Sequence, residues 1–366
     1  MKHSACHRAL GLTLVDVTVT LVIATLFMAA AVILSGAARG RSAEKVSAWN
    51  LTVLAQSHNS YALDWEGRQF TLIDDRAGEA NGNLSNFYNM FGCHPEMLLG
   101  EDSNGAIWGY WLDQYGCTEN GPSCCVANFV INKPFSFDST YLSWGSHRMI
   151  NARGFHEYVD GRWYSPTFFA PDSIGAKNAA EFFDNEAEFA ISQNDLRPVV
   201  TYSSYITSPA AMFDPGVLRA PSQGGWQNPN SGFANAYRSP AMVNAKYPDL
   251  KTQMIEREWL RGAPTRFSPY FAASGNPFKQ HWFFNHGMDA SPLALFYDGS
   301  VDNINAGAAT LQDAKVRKRT GDGLWSKDTP LGFNGYYGEL AADSQVSTSH
   351  TILTTGGILG RDLTKR

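Results

Sequence analysis

The sequence predicts an α+β fold: a long N-terminal helix packed on a β-rich globular head with antiparallel strands. Three observations predict it. Val17 to Ala38 form a run of 22 residues without a formal charge. Behind that run, Val46, Trp49, Val53, Leu54 and Tyr61 recur at helical spacing. Further on, Asp160-Gly161 and Asp298-Gly299 each interrupt aromatic and β-branched stretches, the sequence signal of antiparallel hairpins.

The helix comes first. As an α-helix the charge-free run is about 33 Å long, against a bilayer hydrocarbon core of about 30 Å, so residues 12–38 are expected to form a transmembrane segment. Asp16 stands at its front edge, where a carboxylate is costly and is by default a functional residue. Residues 39–64 are expected to continue it as an amphipathic helix that turns one apolar stripe to the head. Gly36 and Gly40 each weaken the junction by about 1 kcal/mol relative to Ala, which predicts a bend or melted turn there.

The head is expected over residues 65–366. A short strand is predicted at Phe70 to Ile73, then a cysteine-bearing excursion over 86–131. Residues 155–171 read as a hairpin on a type I′ turn at Asp160-Gly161. Residues 177–191 read as a helix with Ala180, Phe183, Ala187 and Ala190 on one face. Residues 199–247, rich in Ser, Pro, Asn and Gly, read as long surface loops. Pro248 and Gly262 bracket a predicted helix. Leu293 to Tyr297 and Ser300 to Ile304 flank Asp298-Gly299 as the clearest hairpin, and Ile352-Leu353 begins an edge strand or docked tail.

Composition bounds the function. The chain is 44% apolar and 17% charged, which excludes a disordered segment. Its 10 Trp, 15 Tyr and 22 Phe, among many Asn, Gly and Ser, suit a loop-rich extracytoplasmic head. A net charge of −5 offers no basic face for nucleic acid; the basic stretch Lys315 to Arg319 reads as a solvated loop.

Cys93, Cys117, Cys124 and Cys125 cluster in the head. In an oxidising compartment they read as two disulfides, with three pairings to choose from and the vicinal Cys124–Cys125 bridge disfavoured by strain. The rival readings are buried free thiols and a metal site sharing His94, though the spacing lacks the paired Cys-x-x-Cys knuckles of a zinc ribbon. Asp102 to Gly105 and Asp298 to Asn303 offer oxygen ligands without an EF-hand register, so no metal and no cofactor is expected. The sequence holds no G-x-S-x-G elbow, no H-E-x-x-H, no Walker A loop and no G-x-G-x-x-G, and the chain is not expected to be an enzyme.

The front of the chain carries a resemblance. A short leader with Lys2 and Arg8 ends at Gly11; Leu12, Thr13, Leu14, Val15 and Asp16 follow, and then the apolar run. This resembles the processing site of type IV prepilins and type II secretion pseudopilins, in which a basic leader ends in Gly before Phe-Thr-Leu-Ile-Glu. Leu12 stands for the Phe, and Asp16 for the Glu with one methylene less of reach. The resemblance implies that residues 1–11 are a prepilin leader and that a membrane prepilin peptidase cuts after Gly11. It also implies that Leu12 is then N-methylated and that Asp16 pairs with the amino terminus of a neighbouring pilin-like subunit. Cleavage would remove Cys6 and take the net charge from −5 to −7.

A second, shorter match lies near the other end. His286 upstream of Asp298-Gly299-Ser300-Val301 resembles a C-terminal box of a large prepilin-like family, a His before an Asp-Gly strand turn; here the eleven-residue gap is longer than the family's. Together the two matches imply a single-pass inner-membrane protein with its head outside the cytoplasm, serving protein secretion or a surface fibre. The rival from another class is a membrane-anchored protein whose loop aromatics bind an extracellular glycan. A cleaved signal peptide fits less well, since no A-x-A-like site is well placed. A plain single-span anchor is the closer rival, because cations flank the run on both sides (Lys2 and Arg8; Arg39, Arg41 and Lys45).

Overall fold

The computed structural model describes residues 14–71, 74–81, 84–91, 97–101, 107–110, 150, 153–162, 165–171, 173–180, 203–256, 291–329, 335 and 352–366. Ahead of Ser42 it describes side chains only at residues 18, 19, 21–23 and 25. The elements in chain order are α1 (Leu14–Asp64), α2 (Leu84–Phe91), β1 (Met97–Glu101), β2 (Ile107–Tyr110), α3 (Arg153–His156) and α4 (Ile174–Ala179). They continue with β3 (Tyr205–Thr207), α5 (Pro209–Met212), β4 (Thr252–Glu256), β5 (Leu293–Phe296), β6 (Val301–Asn303) and α6 (Ala306–Thr320).

Helix α1 runs unbroken for 51 residues, about 77 Å at 1.5 Å per residue. It stays helical through Gly36 and Gly40, where the glycines predict a melted turn. Among the described residues no helix is long and apolar enough to cross a membrane. Most side chains between Leu14 and Arg41 lie outside that set, and the transmembrane part of the expectation lies there with them.

The second half of α1 packs on a four-stranded sheet of order β3-β4-β5-β6, antiparallel throughout. Strand residues alternate between its faces. Tyr205, Met254, Leu293 and Leu295 join α1 residues Leu51, Leu54, Ala55 and Tyr61 in one core, with Phe70, Phe155 and Phe168. Ile206, Ile255, Ala294 and Phe296 face the other way, against Ala306 and Ala309 of α6, Trp325, Ile352 and Leu363. A third core, around Tyr237, Phe213, Leu218 and Leu353, holds the loops beside α5.

That double covering explains the largest correction. Residues 252–256, expected within a helix, form the inner strand β4, buried at every position. A strand buried on both faces loses the alternation that marks a half-exposed one. Residues 203–212, expected in surface loops, supply β3 and α5, all of it buried.

The two Asp-Gly pairs part company. Asp298-Gly299 does close a hairpin, with Leu293 opposite Asn303 and Leu295 opposite Val301. Phe296 O accepts from Gly299 N and Phe296 N donates to Ser300 O, both at 2.9 Å; Gly299 alone takes a positive φ, +81°. This is a type I turn closed by a G1 bulge. Asp160-Gly161 instead ends α3: the N–H groups of Asp160 and Gly161 both donate to His156 O, at 3.1 and 2.9 Å, with Gly161 at φ +69°. That is a helix C-cap, and no strand flanks it among the described residues.

Lys315 to Arg319, expected in a loop, form the last turns of α6. Asn305 caps its start by accepting from Ala308 N, and Gly321 follows its end. Buried Asp313 ties α6 to the next loop, accepting from Leu324 N at 2.7 Å and Trp325 N at 3.1 Å. Helix α4 starts at Ile174 on a Ser173 cap, ahead of the predicted 177–191, of which 181–191 lie outside the described residues. Phe70 and Thr71 are not strand, and Leu72 and Ile73 also lie outside.

Gly78 marks a tight crossing. It is buried, and a Cβ built there would lie 2.3 Å from Phe233 O and 2.6 Å from Ala234 O. Gly78→Ala is therefore expected to destabilise the head by about 1–3 kcal/mol through overpacking. A urea midpoint equal to wild type would show that the two backbones can part freely.

Candidate functional site

The part of α1 that meets the head is polar where it is deepest. Its buried positions include Ala43, Ser47, Asn50, Leu51, Leu54, His58, Tyr61 and Ala62, spaced three or four apart on one face. Val46 and Trp49, predicted for that stripe, are instead 45% and 66% exposed. The face is set by hydrogen bonding as well as by hydrophobicity. Ser47 Oγ donates to Glu256 Oε1 at 2.9 Å and lies 2.9 Å from the Tyr205 hydroxyl. Asn50 Nδ2 donates to Phe169 O at 3.1 Å and to the Tyr205 hydroxyl at 3.3 Å. Burial pushes the Tyr205 phenol far up and the Glu256 charge adds to it, against the bonds from Ser47 and Asn50.

Two turns past Asn50, His58 Nδ1 accepts from Phe70 N at 3.3 Å. An accepting Nδ1 places the proton of the neutral ring on Nε2. The ring lies 4.4 Å from Phe155, and burial lowers its pKa to about 3. Tyr61 packs edge-on to Phe70, Phe155 and Tyr158 and stacks on Trp65. Burial first, against the Arg68 charge, raises its phenol to about 12. His58, Tyr61 and Tyr205 are neutral at physiological pH. What they do is fix one rotation and one register of α1 on the sheet, because any slip strands their buried partners.

A second buried polar cluster clamps the C-terminal segment. Lys251 and Asp362 are both fully buried and paired at 3.2 Å. Lys251 Nζ also donates to Ser208 Oγ at 3.0 Å and Thr354 Oγ1 at 2.8 Å, and Asp362 Oδ2 accepts from Thr252 N at 2.8 Å. Burial lowers the Lys251 amine, with the Asp362 charge opposing. Tyr297 is pushed up, chiefly by burial and then by the Asp362 charge, against its bond to Gln69. The expected docked tail is thus seen, anchored by a pair that sequence spacing does not signal.

The predicted site residues are distributed as follows. Gly11, Leu12, Cys93, Cys117, Cys124, Cys125 and His286 lie outside the described residues, as does His94. Asp16 lies in the first turn of α1, with its side chain outside them. Asp298 and Gly299 sit together at the tip of the β5–β6 hairpin. Asp298 Oδ1 accepts from Ser300 N at 2.9 Å, and Oδ2 accepts from Arg366 Nη2 at 3.0 Å. Burial disfavours the Asp298 carboxylate, but the Ser300 bonds and then the Arg366 guanidinium outweigh it and hold its pKa below the usual range. Arg366 also covers the Phe296 ring, 4.0 Å from its centroid. The tip of the hairpin is therefore a fastening point for Arg366.

An open cavity of about 270 Å³ lies past the end of α1, lined by Glu66, Arg68, Asp214, Asn235, Arg238 and Ser239. Its cations are already engaged: Arg238 pairs with Glu66 at 2.5 Å, and Arg68 pairs with Asp75. Among the described residues no group of three or more His, Cys, Asp or Glu could hold a metal ion. No family model, no curated protein and no solved structure matches the chain.

Proposed function

We propose that this chain is a pseudopilin-like envelope protein, cut after Gly11 by a prepilin peptidase, methylated on Leu12, and assembled with pilin-like subunits through its N-terminal helix. The observation that carries the reading is α1 itself. Its second half is keyed to an antiparallel sheet. In its first half Val19, Leu21, Val22 and Ile23 are 47–59% exposed, an uncovered apolar end that needs lipid or sibling helices. Asp16 neutralises a neighbour's methylated amine there, which lowers the cost of both charges in an apolar setting. The size of the head suits a minor or specialised subunit. Against the glycan-binding alternative, Trp325, Tyr205, Tyr237, Phe155 and Phe168 are core residues, which leaves Trp49 and Trp65 as the tryptophans that stand exposed among the described residues.

Asp16→Ala tests the assembly step. The variant is expected to be cleaved at close to the wild-type rate and to fail to enter multisubunit complexes recovered by crosslinking in membranes. Wild-type assembly of Asp16→Ala would remove the pairing role.

A further inference from the structure

We propose that Lys251 and Asp362 close an intramolecular amide bond that fastens the C-terminal segment to the start of β4. The inference is independent of the pilin-like reading. It rests on three features of one dry cluster. First, Lys251 Nζ faces both oxygens of Asp362, at 3.3 and 3.2 Å, and neither side chain has any exposure. Second, Thr354 Oγ1 stands between the two groups: it accepts from Lys251 Nζ at 2.8 Å and donates to Asp362 Oδ1. Third, Thr252 N donates to Asp362 Oδ2 at 2.8 Å, where charge develops when a carboxyl carbon is attacked.

The chemistry balances without a co-reactant. The Lys251 ammonium passes one proton through the Thr354 hydroxyl to Asp362 Oδ1, giving an amine and a carboxylic acid. Burial favours this step, since it removes two charges from a site closed to water. The Nζ lone pair attacks Cγ and forms the C–N bond, and the C=O pair moves onto Oδ2 under the Thr252 N–H. A second Nζ proton follows the same relay to Oδ1. The C–Oδ1 bond breaks with its electron pair, water departs, and the C=O re-forms at Oδ2. One N–H remains on the new secondary amide. Exclusion of water from the site protects the product from hydrolysis. The bond would join residues 251 and 362, so a pull on either could no longer peel the last strap from the sheet.

The test is a tryptic peptide map of the purified full-length protein, denatured before digestion. The amide blocks cleavage after Lys251. The expected product is therefore the peptide from Tyr247 to Arg257 carrying the peptide from Asp362 to Lys365, one water lighter than the sum of the two. Asp362→Asn should give the same linked product by losing ammonia. Thr354→Val should lower the linked fraction at least tenfold while circular dichroism stays unchanged; full linkage in that variant would contradict the relay. Separate, unmodified peptides cut after Lys251 in the wild-type map would overturn the proposal. The same map reads the N-terminal peptide, so failure of the crosslink is distinguishable from failure of the proposed processing.

Discussion

Asp362→Ala is expected to destabilise the head by about 3–5 kcal/mol, the usual loss when one partner of a buried ion pair is removed. Asp362 answers three donors: Lys251 Nζ, Thr354 Oγ1 and Thr252 N. Truncation leaves the ammonium facing only the Ser208 and Thr354 hydroxyls in a fully buried site. Loss on that scale is a large share of the 5–15 kcal/mol typical of a domain. The direction is the same whether the pair stays ionic or has closed to an amide, since the variant can do neither. Urea unfolding in detergent, followed by tryptophan fluorescence, gives the number. The double variant Lys251→Met, Asp362→Leu should recover much of the loss, because two apolar side chains leave no stranded charge. A loss below about 1 kcal/mol for Asp362→Ala would mean that water reaches the pair in solution.

The head is also expected to lose stability in acid through His58. Its folded pKa, about 3, lies below the ordinary value of 6.5. Between those two values the unfolded chain holds a proton that the folded chain does not, so stability falls as pH falls. The term is absent above 6.5, grows on acidification, and levels off below about 3. Its full span is on the order of 5 kcal/mol at 1.36 kcal/mol per pKa unit. His58→Leu should be less stable at neutral pH, because Phe70 N loses its acceptor at His58 Nδ1. It should also show a shallower decline from pH 6.5 to 3. Carboxylates such as Asp298 add their own acid loss to both proteins, so the difference between the curves isolates His58. Parallel curves would contradict the buried, neutral imidazole.

Much of the scaffold is legible in the sequence, for reasons that can be named. The length of α1 follows from its charge-free run and the helical pattern behind it. Which face it buries does not, because Ser47, Asn50 and His58 are inside while Val46 and Trp49 are outside. Apolar periodicity cannot find a seam held by hydrogen bonds. The Asp298-Gly299 hairpin is legible because its flanks pair. The same dipeptide at 160–161 caps a helix, since local chemistry supplies a positive φ at Gly161 without deciding what the neighbours do. Helix α6 buries little beyond Ala306, Ala309 and Asp313, too faint a stripe to read; its Asn305 and Gly321 caps were the usable signal. The clamp from Lys251 to Asp362 spans 111 positions, and no spacing rule reaches that far.

The central claim is that a prepilin-type segment fronts the helix that organises this head. Mass spectrometry of the mature N-terminal peptide, from cells with and without an active prepilin peptidase, tests it most directly. The account predicts a chain that begins at Leu12 with a methylated amine when the peptidase is active, and one that retains Gly11 when it is not. A leader still joined to Leu12 in both cells would contradict it.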